Sequence, residues 1–246
     1  MSAYMELAQW YDDLTGDIPY EDFADYYEAA FRRRGKQVHT LLDFACGTGT
    51  LTCLMARRGY ELIAVDASPD MLMELTDKAA DLENAIAPLI LCQDAAGLDL
   101  NDVVDAAVCS LDGMNYLPPE DLTALLERLH LFIRPDGLFI FDVNSPERMR
   151  SLDGQIFVDE TEDVLCLWRA EFDEEEQTLF YGMDLFTRTE DDLWERSGEE
   201  HIEYAYAPED LEQMLRDAGF VNIEIDRSGP QHEQGRIFIT AENTPH

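Results

Sequence analysis

Positive charge is scarce in this chain: 17 lysines and arginines face 53 aspartates and glutamates in 246 residues, for a formal net charge of −36. That balance argues against a nucleic-acid partner, because such binding draws most of its affinity from neutralised phosphates. An anionic membrane surface is disfavoured for the same reason. The one tight basic cluster, Arg32, Arg33, Arg34 and Lys36, falls at the end of an expected helix, where the dipole already favours cations. The acid excess has two readings: it keeps the protein dissolved, or it draws a cationic substrate or partner. Long apolar runs are missing too. No stretch of 18 apolar residues and no basic-then-apolar leader is present, so a cytoplasmic protein is expected.

The five cysteines, at 46, 53, 92, 109 and 166, contain no CxxC pair. An odd number without a framework points to a reducing compartment, and Cys92 and Cys109, inside apolar runs, read as small buried hydrophobes. Metal-ligand spacing is absent: His39, His130, His201, His232 and His246 stand singly. There is no internal repeat and no low-complexity segment. Hydrophobic residues make up 46%, enough for a full core, so disorder is not the reading.

What is there centres on Leu41–Leu42–Asp43–Phe44–Ala45–Cys46–Gly47–Thr48–Gly49, an apolar run ending in two glycines, with an amphipathic stretch directly after it. This predicts a strand, a tight turn and a helix N-terminus whose N–H groups face the turn. Taken alone, the glycines fit a plain strand-to-helix turn equally well. A second strand, 61–65, ends in Asp66, 66 − 49 = 17 residues after the second glycine, and a third, 88–92, leads to Asp94. In an open α/β sheet, ligands sit at the carboxyl ends of the strands, and an acid at the second strand tip is placed to take both hydroxyls of a ribose.

These residues resemble the motifs of class I S-adenosylmethionine-dependent methyltransferases. The match runs from the glycine turn through Val65–Asp66–Ala67–Ser68, Gln93–Asp94–Ala95 and Ser110–Leu111–Asp112–Gly113–Met114–Asn115–Tyr116–Leu117 to Arg134–Pro135–Asp136–Gly137 and the strand after it, in register over residues 40–143. The resemblance implies S-adenosylmethionine as cofactor, with Asp66 on the ribose and Asp94 on the adenine amine. Tyr20, Ala45, Cys46, Gly47, Thr48, Gly49, Ala67, Met71, Ala95 and Leu111 complete the cofactor side. It also implies a Rossmann-like, doubly wound seven-stranded sheet of order 3-2-1-4-5-7-6 with an antiparallel last strand. Two departures stand out. Ala45 replaces a usual glycine and is expected to need a negative φ, and Asp136 replaces another as a turn variation.

In chain order, residues 1–39 form a helical cover. Tyr4, Leu7, Ala8 and Tyr11 stand at helical spacing with Met5 beside them, and a second helix is predicted over 20–34. Most of its aromatics read as packing, with Tyr11 and Tyr20 nominated to face the cofactor. Core strands are predicted at 40–45, 61–65, 88–92, 103–110 and 137–143, and helices at 50–58, 69–82 and 119–132, the last ended by Pro135–Asp136–Gly137. Residues 150–207 read as an antiparallel insertion of three long strands over the carboxyl edge, turning at 173–176 and 190–192. A helix and two strands from Pro208 onward complete the sheet. The division is therefore 1–149 with 208–246 as core, and 150–207 as lid or substrate region.

A sulfonium-borne methyl is already activated, so alignment and exclusion of water are the main demands, and no dedicated nucleophile is needed. Asp112, Asn115 and Tyr116 lie where the family receives its acceptor, although they also read as a polar loop capping the strand. His201 is a further candidate base. Three functions stay open: methyl transfer to a small-molecule acceptor, a non-catalytic cofactor-binding module, and a nicotinamide oxidoreductase. The last lacks its third glycine, because position 52 is Thr.

Overall fold

The structure is a computed structural model that describes residues 7–189 and 191–245. Tyr4 and Met5 of the expected first helix lie outside the described residues. Leu7 begins a short 3-10 turn (Ala8–Trp10) and α1 (Tyr11–Leu14); α2 (Tyr20–Arg33) follows with Glu21 and Asp22 in its first turn and Arg32 and Arg33 in its last. The core then alternates: β1 (Thr40–Phe44), α3 (Thr50–Arg57), β2 (Glu61–Asp66), α4 (Pro69–Ala80), β3 (Leu89–Cys92) and β4 (Val104–Cys109), a 3-10 turn (Gly113–Tyr116), α5 (Pro119–Phe132) and β5 (Ile133–Asn144). Ser68 caps α4 by accepting from the Met71 N–H, with Pro69 at the first helical position.

Seven strands form one sheet in the order β10-β11-β5-β4-β1-β2-β3, where β10 (Phe220–Asp226) and β11 (Arg236–Asn243) come last in the chain. Counting core strands alone, this is 3-2-1-4-5-7-6. The five strands from β3 to β5 are mutually parallel, and β11 runs antiparallel to both of its neighbours. Alternation along each strand sends side chains to opposite faces. Leu41, Leu138 and Ile140 pack under Phe23, Tyr27 and Phe31 of α2, while Leu42, Phe139 and Phe141 pack under Leu122, Leu125 and Leu129 of α5. Burial on both faces is why the central strands are continuous apolar runs.

Between β5 and the final strands lie α6 (Pro146–Ser151) and a second sheet, β6 (Ile156–Glu160), β7 (Val164–Asp173), β8 (Thr178–Arg188) and β9 (Trp194–Tyr204), antiparallel throughout; α7 (Pro208–Asp217) then leads to β10. Val164, Cys166, Met183 and Leu185 pack on Leu7, Trp10 and Leu14, and Ala170 and Leu179 pack on Met149 and Leu152. The Asn115 amide donates to the Tyr204 carbonyl at 2.8 Å, which ties β9 to the turn after β4, at the carboxyl edge of the main sheet.

Three expectations need correction. The insertion has four strands, not three, because β6 pairs with β7 along Ile156↔Arg169 to Glu160↔Leu165. Pro135–Asp136–Gly137 does not end α5: the helix stops at Phe132, and these residues lie inside β5 at a register shift against β4, with Asp136 at φ 63°. Cys92 is exposed, because β3 is the sheet edge; Cys109 on the central β4 is buried as expected. The basic cluster is consumed by the fold. Arg32 pairs with Glu28, Arg33 and Arg34 with Glu224, and Lys36 with Glu242. No helix among the described residues is long and apolar enough to cross a membrane.

Candidate active site

The turn after β1 carries three left-handed residues in five: Ala45 (φ 54°), Gly47 (φ 55°) and Gly49 (φ 73°). Ala45 therefore does not take the negative φ expected of it. The Cys46 N–H donates to Val65 O at 3.1 Å, which fixes the turn against β2. Gly113 faces it closely, since a Cβ added there would stand 2.9 Å from that of Ala45. Left-handed backbone costs a non-glycine residue about 1 kcal/mol. Ala45→Gly should therefore raise stability by about 1 kcal/mol, read as a higher urea midpoint at unchanged slope. Gly49 acts through packing, because a Cβ there would fall 2.1 Å from Leu75 Cδ1 of α4.

Asp66, at the tip of β2, accepts from the Gly47 N–H (2.8 Å) and the Ser68 N–H (2.9 Å), so it binds the glycine turn to the start of α4. Burial pushes its carboxyl up, and these N–H groups pull it back. Asp43, fully enclosed, accepts from Thr52 Oγ1; burial and the nearby Asp66 push it up to about 7. Thr52 thus fills, with a bonded side chain, the place of a third glycine. Asp112 is also raised, to about 6, by burial against the pull of Arg236. Each folded-state value lies above the ordinary 3.8, so between the two the folded chain holds protons that the unfolded chain has lost. The stability that these two groups contribute is accordingly full below about pH 4 and is lost as pH rises through about 6 to 7. The thermal midpoint should climb as buffer moves from about pH 8 to about pH 5.5, and Asp43→Asn should flatten the upper part of that slope.

A cavity of about 430 Å³ opens along the carboxyl ends of β1, β2, β3 and β4. Tyr20, Ala45, Cys46, Gly47, Thr48, Asp66, Ala67, Met71, Asp94, Ala95 and Leu111 all line it, with Tyr11; Gly49 lies behind the wall. Asp94 is exposed and accepts from the Gly97 N–H at 2.6 Å. Of the four catalytic candidates, Tyr116 alone reaches this cavity. Asn115 is fully buried and committed to structure, with its amide on Tyr204 O and its carbonyl accepting from the Asn144 N–H at 2.9 Å. His201 sits behind Tyr116, their rings edge-on at 6.0 Å, with Nε2 3.2 Å from a Glu199 carboxylate oxygen. Asp112 is turned away, paired with Arg236 at 2.9 Å.

Several further groups hold the cavity in shape. Asp142, at the end of β5, accepts from the Leu111 and Asp112 N–H groups at 3.0 Å each and pairs with Arg236 of β11. This holds the two left-handed residues Leu111 (φ 56°) and Asp112 (φ 58°) that aim the turn. The rule that singled out Asp66 and Asp94, an acid at a strand tip, would also have found Asp142. Asp12 in α1 accepts from Thr48 Oγ1 (2.7 Å) and Thr50 Oγ1 (3.2 Å) and pairs with Lys78 of α4, fastening the N-terminal cover over the glycine turn. Among the described residues no group of acids, histidines or cysteines is arranged to hold a metal.

Residues 41–137 match the family model for a methyltransferase domain. The chain is 25% identical to the protein named "Putative methyltransferase YqeM" of Bacillus subtilis (strain 168), over 98% of this chain and 97% of that one. Among solved structures, an S-adenosylmethionine-dependent methyltransferase from Clostridium acetobutylicum ATCC 824 superposes with a TM-score of 0.81 at 26% identity, covering 99% of this chain and 100% of that one. The sugar N-methyltransferase KedS8 from Streptoalloteichus sp. ATCC 53650 shares the fold, with a TM-score of 0.83 at 20% identity over 100% and 96% of the chains. Residues 41–137 are thus a methyltransferase domain of the class I, S-adenosylmethionine-dependent type, here in a chain that carries an antiparallel β insertion. Its cofactor is S-adenosylmethionine, and the cavity suits it: an open face at Gly47, where an added Cβ would meet nothing within 4 Å, a carboxylate at Asp66 and apolar walls at Met71 and Ala95.

Proposed function

We propose that the protein transfers a methyl group to a small neutral or cationic acceptor held between the main sheet and the insertion. The observation that carries this reading is the way the cavity is walled. Tyr11 and Tyr20 of the N-terminal cover and Tyr116 of the turn after β4 line it beside the glycine turn, and the insertion packs on Tyr11 and, through His201, against Tyr116. A net charge of −36 also repels a polyanion. Residues 150–207 then act as the acceptor-side cover of a core made of 1–149 and 208–246.

When bound, S-adenosylmethionine supplies a methyl group already activated on sulfonium. The rest falls to the chain. Asp66 takes the ribose hydroxyls, Asp94 the adenine amine, and Met71 packs on the adenine face. Tyr11, Tyr20 and Tyr116 exclude water and align the acceptor for in-line displacement, a contribution of about 7–11 kcal/mol to such a barrier when alignment is complete. The test is transfer from methyl-labelled S-adenosylmethionine to bulk tRNA, to rRNA and to a small-metabolite extract at several salt concentrations. Label should enter the small-molecule fraction; efficient transfer into RNA at moderate salt would overturn the reading.

A further inference from the structure

Glu203 on β9 is buried at 3% exposure, yet no cation lies within ion-pair distance of it among the described residues. The guanidinium whose charge acts on it, Arg236, is committed to Asp142 and Asp112. Glu203 instead has two neutral donors, the Asn144 amide at 3.4 Å and the Tyr116 hydroxyl. Tyr116 in turn lines the cofactor cavity, so a single phenol connects that cavity to an enclosed carboxyl. The other groups facing Glu203 are Asp112 from the turn after β4, Arg236 from β11 and Tyr181 from β8. Burial and the Asp112 charge push Glu203 well above its ordinary value. A carboxyl enclosed without a counter-charge is costly to ionise unless a cation arrives beside it.

We infer that the acceptor is an amine and that Tyr116 passes its proton to Glu203. This rests on the small-molecule reading above and narrows it. An ammonium entering at Tyr116 brings the missing positive charge, and the proton that the enclosed Glu203 holds leaves to solvent as the ammonium binds, so that Glu203 becomes a carboxylate. One of its protons moves to the Tyr116 oxygen as the phenol's own proton moves to the Glu203 carboxylate, which leaves a neutral amine, a neutral phenol and a carboxylic acid. The nitrogen lone pair then forms the new N–C bond while the methyl–sulfur bond breaks with its electron pair going to sulfur. The sulfonium charge is thereby exchanged for one on the methylated nitrogen. Tyr116 touches the acceptor; Glu203 acts through it. A hydroxyl acceptor brings no positive charge to the enclosed carboxyl, and a carboxylate would add to the repulsion.

The full-length protein, loaded with S-adenosylhomocysteine, is titrated by calorimetry with cyclohexylamine, cyclohexanol and cyclohexanecarboxylate at about pH 8. The amine should bind at least tenfold more tightly than the other two, and Glu203→Gln should abolish that preference. Glutamine has the shape of the protonated acid, so folding is retained, and Glu200→Gln on the exposed face of the same strand should behave as the parent does. In the labelled-transfer assay with metabolite extract, Tyr116→Phe should lower kcat by about a hundredfold with little change in KM, and Glu203→Gln should remove the fall in rate on the acid side of the pH profile. The labelled product, analysed by mass spectrometry, should be an N-methyl compound. An amine preference that survives Glu203→Gln, no amine preference at all, or an O-methyl product would overturn the inference while leaving small-molecule methylation standing. Label in RNA would instead overturn the reading beneath it.

Discussion

Asp66→Ala will weaken S-adenosylmethionine binding by about a hundredfold or more. Two charge-assisted hydrogen bonds to ribose hydroxyls are removed, each worth about 1.5–3 kcal/mol, and a total near 3 kcal/mol corresponds to a factor of roughly a hundred. The structure adds a second loss. Asp66 also holds the Gly47 and Ser68 N–H groups, so its removal releases the glycine turn from α4 as well as from the ligand. Asp66→Asn keeps a carbonyl acceptor for one of those N–H groups and should fall between parent and alanine variant. Calorimetric titration with S-adenosylmethionine reads the effect directly. Unchanged affinity in the alanine variant would defeat the placement of the ribose at Asp66.

The second large effect concerns stability. Arg236→Met should destabilise the protein by about 3–5 kcal/mol, because it leaves the buried Asp112 and Asp142 carboxylates facing each other without their shared cation. For a chain of this length that is a fall in thermal midpoint of very roughly 6–20 °C. The loss should depend on pH with a definite sign. Asp112 is raised to about 6 even with Arg236 beside it, and without the guanidinium it moves higher still. As pH falls through that region the carboxyl takes up a proton and the repulsion ends, so the gap between parent and variant should close toward about pH 5. Asp112→Asn added to Arg236→Met should recover part of the loss at neutral pH. A gap that stays constant with pH would mean that the pair is not the source of the effect.

The two sides of the site differed in how legible they were. Cofactor-side residues were open to reading because each sits where a strand ends: apolar runs at 41–44, 62–65 and 89–92 stop at a glycine turn, at Asp66 and just before Asp94, and strand tips of a parallel sheet share one edge. The strength of those runs also explains why the sheet order could be expected. β6 gave no such signal. It is five residues long, carries the exposed Ile156 and Val158 and ends in acids, so it reads as loop. β9 was visible as a strand, but Glu199, His201 and Glu203 on its inner face made it look polar on both sides, which hid the inward carboxyl. Arg236 could not be found locally at all: its partner Asp142 lies 94 positions away, and only the antiparallel pairing of β11 with β5 brings them together. The Ala45 error has a different origin. A lone residue's preference for negative φ was set against a turn that needs three left-handed residues, and the turn decided.

The fastening of the N-terminal cover has a practical consequence. The chain contains only two lysines, Lys36 and Lys78, and both amines are held in ion pairs, one with Glu242 and the other with Asp12. Lys36 joins the chain just after α2 to β11, whereas the Lys78 amine, which also donates to Thr48 and Thr50 Oγ1, reaches across to Asp12 and is expected to shed it when the cover lifts from the glycine turn. Acylating reagents therefore meet a protein with almost no reactive side-chain amines, and the rate at which Lys78 is modified measures how often the cover opens. Saturating ligand should slow that labelling while leaving Lys36 untouched as an internal clock, so that the traffic of cofactor through the entrance can be timed on the unaltered chain by mass spectrometry of two peptides.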